Sequence, residues 1–411
     1  MPLYDFCFLK GFFDMDRNVK NALSLGLMCI FSYLGCYMAR SVLSVVATDM
    51  RASTSFTVED IGVFSTAFMI VYACGQLVNG RLGDLFRAKW LVGGGLFFAG
   101  VFNFLMPFSS SVILTTVIYA VSGFFQSMIY SPLMRVVAEN TLPKYASRCS
   151  LGFSVASFLG TPVATLLAAF FNWKYAFFGA GIFMMFLGFV CFVFFTYFEK
   201  KGVIVYKEKV KGEKQKTDVV LLIKRGIIIQ TIVAILTGIV RTSVVFWIPT
   251  YLVEYLNFSA DGAGVVVSFA TIMKSMSPYF GVLLIYERFF KRRSNSSTAF
   301  MFLIGMVGFL GMYFFPNPVI NIVFMTVALL LSGCASSMVF SVYCPSLYDT
   351  GMVSTATGFL DACSYLGAAL ANFLFANAIT SIGWKNLILV WSALMLVGLI
   401  TFAFAKKNKT A

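Results

Sequence analysis

Apolar runs of about 20 residues, the length that spans a hydrocarbon core, follow one another along almost the whole chain. Twelve can be marked, at 22–47, 61–80, 90–108, 112–137, 149–171, 175–197, 226–252, 262–285, 297–315, 318–342, 354–382 and 384–405, numbered below as spans 1 to 12. Two joins are single turns, NWK at 172–174 and PNP at 316–318. Residues 1–21 carry Asp5, Asp14 and Asp16 and no small-residue cleavage site, so they read as a partly amphipathic cytosolic segment and not as a secretory signal.

Composition sharpens this pattern. A chain that is 59% hydrophobic and 12% charged cannot cover itself with a solvated surface. The expected fold is therefore an all-α integral membrane protein with 12 transmembrane helices. Orientation follows from where Lys and Arg fall. The amino end, the even-to-odd loops and the carboxyl tail collect 24 of the 31 basic residues, and the opposite side holds Arg51, Lys174 and Lys385. Both termini are thus expected in the cytoplasm of a cell that carries the protein in its inner or plasma membrane. The net charge of +14 reports this topology and contact with lipid headgroups, and gives no reason to invoke nucleic acid.

The nine cysteines have no paired spacing and read as small packing residues, and histidine is absent. Histidine-based zinc sites, Ser/His/Asp catalysis and histidine proton relays have no residues to work with. No metal, no cofactor and no enzymatic reaction is expected, and a monomer suffices.

The segment 199–225 breaks the apolar rhythm with nine basic and four acidic residues, the pattern of a solvated connector. It divides the chain into a cytosolic segment 1–21, a six-helix bundle 22–198, the linker 199–225, a second bundle 226–405 and a tail 406–411. Internal repeats support two pseudo-symmetric bundles. SGFFQSMIYS (122–131) lies on SGCASSMVFS (332–341), and GFSVASFLG (152–160) resembles GFLDACSYLG (358–367). YMARSVLSVV (37–46) lies on GIVRTSVVFW (238–247), which makes Arg40 and Arg241 repeat partners.

Four basic residues lie inside spans: Arg40, Arg135, Arg241 and Lys274. A charge at the centre of a membrane helix costs at least about 2.5 to 3.5 kcal/mol, so each needs a partner or a use. A lone arginine can snorkel or clamp backbone carbonyls. Two at equivalent positions of two halves are expected to converge on an anion, whose carboxylate or phosphate oxygens suit a guanidinium fork.

Further motifs carry a family resemblance. GRLGDLFRAK (80–89) resembles the G-x-x-x-D-x-x-x-R-x-K signature between the second and third spans of the major facilitator superfamily, with one residue fewer between the aspartate and the arginine. That resemblance implies a cytoplasmic gate in which Gly80 admits a close helix, and Asp84 forms a network with Arg87 and Lys89. The second-half counterpart, GVLLIYERFFKRR (281–293), is degenerate, with Glu287 late in the motif. RTSVVFWIPTYLVEYLNFSADGAG (241–264) and STATGFLDACSYLGAALA (354–371) are similar to the seventh and eleventh spans of the organophosphate:phosphate antiporter family, which includes glycerol-3-phosphate and hexose-6-phosphate transporters. The resemblance implies that Arg40 and Arg241 grip a phosphoryl group.

Departures qualify the substrate. Where the glycerol-phosphate branch has a lysine after the first arginine, a lysine in span 2 and a histidine in span 5, this chain has Ser41, Gln76 and Ala156 or Ser157. Lys274 and Asp361 are deep in spans 8 and 11 instead. Lys274 reads as a substrate or coupling ligand, or as half of a structural pair with Asp361 or another carboxylate. Asp361 couples or tunes. Tyr37, Gln76 and Gln126 are neutral candidates for the binding cavity, and Arg135 with Glu139, four residues apart on one helix face, reads as part of the gate. The partners implied are a small anionic substrate, either a phosphate ester or a carboxylate, with phosphate as counter-substrate or a proton or sodium ion as co-substrate. The expected function is secondary active exchange of an organic phosphate for phosphate by alternating access. A carboxylate symporter is the alternative, followed by an anion sensor and a drug efflux pump.

Overall fold

The computed structural model describes residues 17–206 and 216–403, and within them every regular element is helical. Most of the amino-terminal segment, the middle of the linker and the tail after 405 lie outside the described residues. The spans appear in sequence order. Span 1 is the helix Arg17–Ser53, span 2 Val58–Leu85, span 3 Lys89–Phe108 and span 4 Val112–Asn140. A short helix Pro143–Ser150 precedes span 5, Gly152–Phe170, and span 6 is Trp173–Lys200. Span 7 is Ile227–Glu254, span 9 Ser294–Phe314 and span 10 Pro318–Ser346. Among the described residues nine helices are long and apolar enough to cross a membrane, or ten with the bent pair of span 8.

Breaks in these helices have local causes. Span 8 bends by 43° between Gly262–Ser275 and Tyr279–Phe289, where Pro278 has no N–H for the helix ladder. Spans 11 and 12 form one run, Val353–Ala403, interrupted at Gly383 with φ 75° and ψ 168°. Only glycine adopts that conformation readily, so it sets the turn. Span 2 begins with a capping box: Asp60 N–H donates to the Thr57 hydroxyl and the Thr57 N–H donates back to the Asp60 carboxylate.

Contacts divide the chain into two units. The first comprises residues up to Phe64, Leu82–Lys209 and Pro345–Ser354, and the second Ser65–Arg81, Val210–Cys344 and the chain from Thr355. Within the first unit, spans 3 and 6 meet through glycines one heptad apart. A Cβ on Gly100 would stand 2.7 Å from the Gly181 carbonyl oxygen, and one on Gly188 2.8 Å from that of Gly93. Small residues let the backbones touch, the usual basis of helix association in lipid. The Trp173 N–H donates to the Asp49 carboxylate at 2.6 Å, tying the start of span 6 to the end of span 1. The second unit ties the corresponding join by a side chain: Trp384 Nε1 donates to Glu254 Oε2 at 2.9 Å, at the end of span 7. Each tryptophan is followed by a lysine, Lys174 or Lys385.

The outer faces are apolar. Ile113 and Phe170 are each 78% exposed, which suits hydrocarbon and not water. Polar side chains turn inward and bond there, as Tyr251 does by donating to Asn321 Oδ1 at 2.8 Å.

The linker departs from a solvated connector at both ends. Glu199 and Lys200 belong to the span 6 helix, Ile204 is buried, and Lys216–Lys224 is helical. Of the apolar VIV that follows the first charges of the linker, Ile204 is the residue that turns inward.

Candidate functional site

In the first unit the geometry around Arg40 is set by a close crossing. A Cβ on Gly160 of span 5 would stand 2.5 Å from Tyr37 Cβ and 3.0 Å from the Met38 nitrogen. Arg40 leaves the contact one turn later, half-buried. Its Nη2 donates to Cys36 Sγ at 3.9 Å and its guanidinium lies 5.9 Å from the Tyr37 ring centre. The Cys36 thiol donates to Gln126 Oε1 at 3.3 Å, and Gln126 Nε2 donates to the Ser122 hydroxyl at 3.2 Å. Asn103 Nδ2 donates to the same hydroxyl at 2.7 Å. Gln126 therefore stands with Arg40 through Cys36, and both ends of its fully buried amide bond within the protein. Cys36 does more than pack.

The second unit has its own crossing, before Arg241. A Cβ on Gly238 would stand 2.5 Å from the Ser364 carbonyl oxygen, so here span 7 supplies the glycine and span 11 the partner. Arg241 follows one turn later in a π-helical stretch, Ile239–Val244. Such wide turns interrupt the regular ladder and recur at functional sites. Arg241 Nη2 lies 3.8 Å from Asp361 Oδ1 and donates to Ser364 Oγ at 3.1 Å. The guanidinium stacks on Tyr365, 5.3 Å from the ring centre.

Lys274, near the bend of span 8, donates from Nζ to the Arg241 carbonyl oxygen at 3.3 Å. The expected alternative of a Lys274–Asp361 pair is not what forms: the carboxylate lies against Arg241, and the ammonium caps the backbone of that same residue. Gln76 also comes to this cluster. Its Nε2 donates to the Tyr72 hydroxyl at 2.7 Å, and Tyr72 meets Tyr365 edge-on at 5.2 Å.

The third cluster surrounds the loop between spans 2 and 3, in the first unit. Asp84 Oδ1 accepts the Ser354 N–H at 3.0 Å, at the start of the Val353–Ala403 helix, where a carboxylate meets the positive end of the dipole. Arg87 and Lys89, expected to pair with Asp84, go to Glu199 instead, at 3.6 and 2.8 Å. The reason is reach: Lys89 opens span 3, which packs along span 6, and Glu199 ends span 6. Arg135 donates to Glu139 at 3.0 Å, as its spacing predicts, and from Nη1 to the Gly83 carbonyl oxygen at 2.9 Å. Gly80 is buried in the span 2 helix. Glu199, Ser354, Ser364 and Tyr365 carry no sequence signal of their own. Glu199 is one acid among the linker charges until the end of span 6 is known.

A helical chain with apolar outer faces and inward clusters of charge at two repeat-related arginines has the construction of a membrane transporter. The chain belongs to the Major Facilitator Superfamily, whose profile matches residues 29–372. It is similar to the glycerol-3-phosphate transporter of Bacillus subtilis (strain 168), 23% identical over 90% of this chain and 89% of that one. It is also similar to a probable hexose phosphate transport protein of Chlamydia muridarum, 21% identical over 90% and 88%. The membrane sensor protein UhpC of Escherichia coli (strain K12) is 23% identical over 87% and 85%. The fold matches the proton:xylose symporter XylE with a TM-score of 0.73 at 13% identity, covering 96% of this chain and 98% of that one.

Proposed function

We propose that the protein is a secondary transporter that exchanges a small organic phosphate for inorganic phosphate by alternating access, from the cell's inner or plasma membrane with both termini in the cytoplasm. The observation that carries this is the state of Arg241. Its contact with Asp361 is 3.8 Å, against about 2.7 to 2.9 Å for a tight guanidinium–carboxylate bond. A phosphoryl group that offers two oxygens to the fork out-competes a carboxylate held at that distance. Two relatives carry glycerol phosphate or hexose phosphate in their names, and an organophosphate is one of the anions whose oxygens suit an arginine fork.

In this reading Arg40 and Arg241 share the phosphoryl group, each placed by a crossing one turn before it. Lys274 keeps the backbone of Arg241 in place and adds positive charge. Asp361 is the internal anion that holds Arg241 when substrate is absent, which lowers the cost of an unpaired guanidinium at that depth. Binding exchanges one counter-charge for another, and the halves then rock. The cluster at Asp84 is the cytoplasmic gate.

Phosphate exchange in proteoliposomes preloaded with phosphate tests the proposal. Saturable exchange, inhibited by sugar phosphates or glycerol phosphate and absent in Arg40→Ala and Arg241→Ala, supports it. Absence of exchange in the unmodified protein sinks it. Asp361 favours one other reading, a carboxylate symporter in which it carries the coupling proton. Carboxylate uptake driven by a proton gradient, lost in Asp361→Asn, is its signature.

A further inference from the structure

The residues that follow span 6 make a strap. From Glu199 the chain turns through Gly202, φ 67°, and buries Ile204, while the Val205 N–H donates to Asn140 Oδ1 at 2.6 Å, at the end of span 4. Tyr206 then sits on the loop between spans 2 and 3. Its hydroxyl accepts the Ala88 N–H at 3.0 Å and donates to Glu199 Oε1 at 3.2 Å. The other oxygen of Glu199 holds Lys89 at 2.8 Å. The Tyr206 ring lies under the Arg135 guanidinium, 5.3 Å from ring centre to charge, and that guanidinium bonds the Gly83 carbonyl beside Asp84.

One side chain thus touches three parts of the cluster: the amide just before Lys89, the acid that binds Lys89, and the cation that binds the backbone next to Asp84. Burial, and then the Glu199 carboxylate, push the Tyr206 phenol above its ordinary range, so it remains a neutral donor.

We infer that Tyr206 is a positioning residue of the gate, and that the first turn of the linker is a working part of the transporter. The strap holds the segment from Gly83 to Lys89, the end of span 2 and the turn into span 3, in the shape in which Asp84 receives the Ser354 N–H. The gate role rests on the transport reading above. The strap's hold on the loop does not, and the two are measured separately.

The experiment compares the full chain with Tyr206→Phe and Tyr206→Ala in lipid nanodiscs by hydrogen exchange, and in proteoliposomes by phosphate exchange. The hydroxyl bond to Ala88 is lost in both variants, and the ring under Arg135 only in the alanine. Exchange of the amides in 85–90 is expected to rise about tenfold in Tyr206→Phe, as one buried hydrogen bond of ordinary worth is removed, with amides of spans 9 and 12 unchanged. Transport is expected to slow about three- to tenfold at saturation in Tyr206→Phe and further in Tyr206→Ala, with half-saturation within about twofold, as for a gating defect and not a binding defect.

Unchanged exchange of 85–90 in both variants overturns the strap. Raised exchange with unaltered maximal rate overturns its part in the gate. Raised exchange in a protein whose unmodified form moves no phosphate leaves the strap's hold standing and overturns the transport reading, and the gate role with it.

Discussion

Lys274 donates from its ammonium to the backbone carbonyl oxygen of Arg241, 3.3 Å away, and so supports the residue that faces Asp361. The carbonyl belongs to a π-helical stretch in which the regular bonding of span 7 is interrupted. Lys274→Met removes that charged donor from the Arg241 carbonyl oxygen. Phosphate affinity is expected to fall about tenfold, within the range of a charge-assisted hydrogen bond, while thermal stability in detergent drops slightly. Lys274→Arg is expected to recover most of the affinity. Equal binding by the Met variant and the unmodified protein, measured by competition with radiolabelled phosphate, removes Lys274 from the site.

Arginine and lysine differ in shape more than in charge. Arg40→Lys and Arg241→Lys retain the cation but lose the fork that engages two oxygens. Exchange in proteoliposomes is expected to fall by about 100-fold in either variant, the loss of one bidentate contact of about 3 kcal/mol. Near-normal size-exclusion profiles and melting temperatures are expected beside that loss. Full activity in both variants would count against the clamp.

Asp361 separates two modes of transport. As the resting counter-ion of Arg241 it competes with substrate, so Asp361→Asn is expected to lower the half-saturation for phosphate about three- to tenfold and to leave exchange running, since removing a competing anion favours the incoming one. Slower release is expected to accompany tighter binding. Loss of all gradient-driven uptake, with no gain in phosphate affinity, is the opposite result and identifies the carboxylate as the coupling group.

The packing of spans 3 and 6 is testable without any substrate. A Cβ on Gly100 meets backbone on two sides, the Gly181 carbonyl oxygen at 2.7 Å and the Met185 nitrogen at 2.8 Å, so no side-chain rotation relieves it. Gly100→Val is expected to cost about 1 to 3 kcal/mol, the range for overpacking, and to lower the melting temperature of the purified protein. Gly94→Val, at a neighbouring glycine with nothing within 4 Å of its Cβ position, is the control and is expected to melt near the unmodified protein.

Much of this was legible in the sequence. Runs of apolar residues define the spans because a bilayer imposes their length, and in each half the helix that carries the half-buried arginine meets its neighbour one turn before that residue. In the fold, Tyr37 and Gly238 are repeat equivalents, yet the close-approach glycine is Gly160 of span 5 in one half and Gly238 of span 7 in the other. No linear pattern reveals that exchange. The partners of Arg87 and Lys89 were equally hidden, since the motif names an aspartate three and five residues away while the fold delivers Glu199 from 110 residues beyond Lys89. Gln76, expected to face the anion, is linked to Arg241 through the rings of Tyr72 and Tyr365. Contacts of this kind depend on helix rotation, which hydropathy does not set.

Glu199 gives the last test, because its two basic neighbours differ in burial. The side chain of Lys89 is 13% exposed and that of Arg87 65%. A buried ion pair that loses one partner leaves an uncompensated charge, whereas an exposed pair contributes about 0 to 1 kcal/mol. Glu199→Gln removes the charge and keeps one acceptor oxygen where the carboxylate offers two, one to Tyr206 and one to Lys89, and Arg87→Ala removes only the exposed partner. Glu199→Gln is therefore expected to slow transport about tenfold, and Arg87→Ala by less than about twofold, although the motif names the arginine and not the glutamate. Lys89→Met should resemble Glu199→Gln, and the double variant Glu199→Gln/Lys89→Met should be less impaired than the sum of the two, since the charges that each leaves behind are gone together. Strict additivity, or a larger effect from Arg87→Ala than from Glu199→Gln, would show that the gate is organised around Arg87 and Asp84 after all.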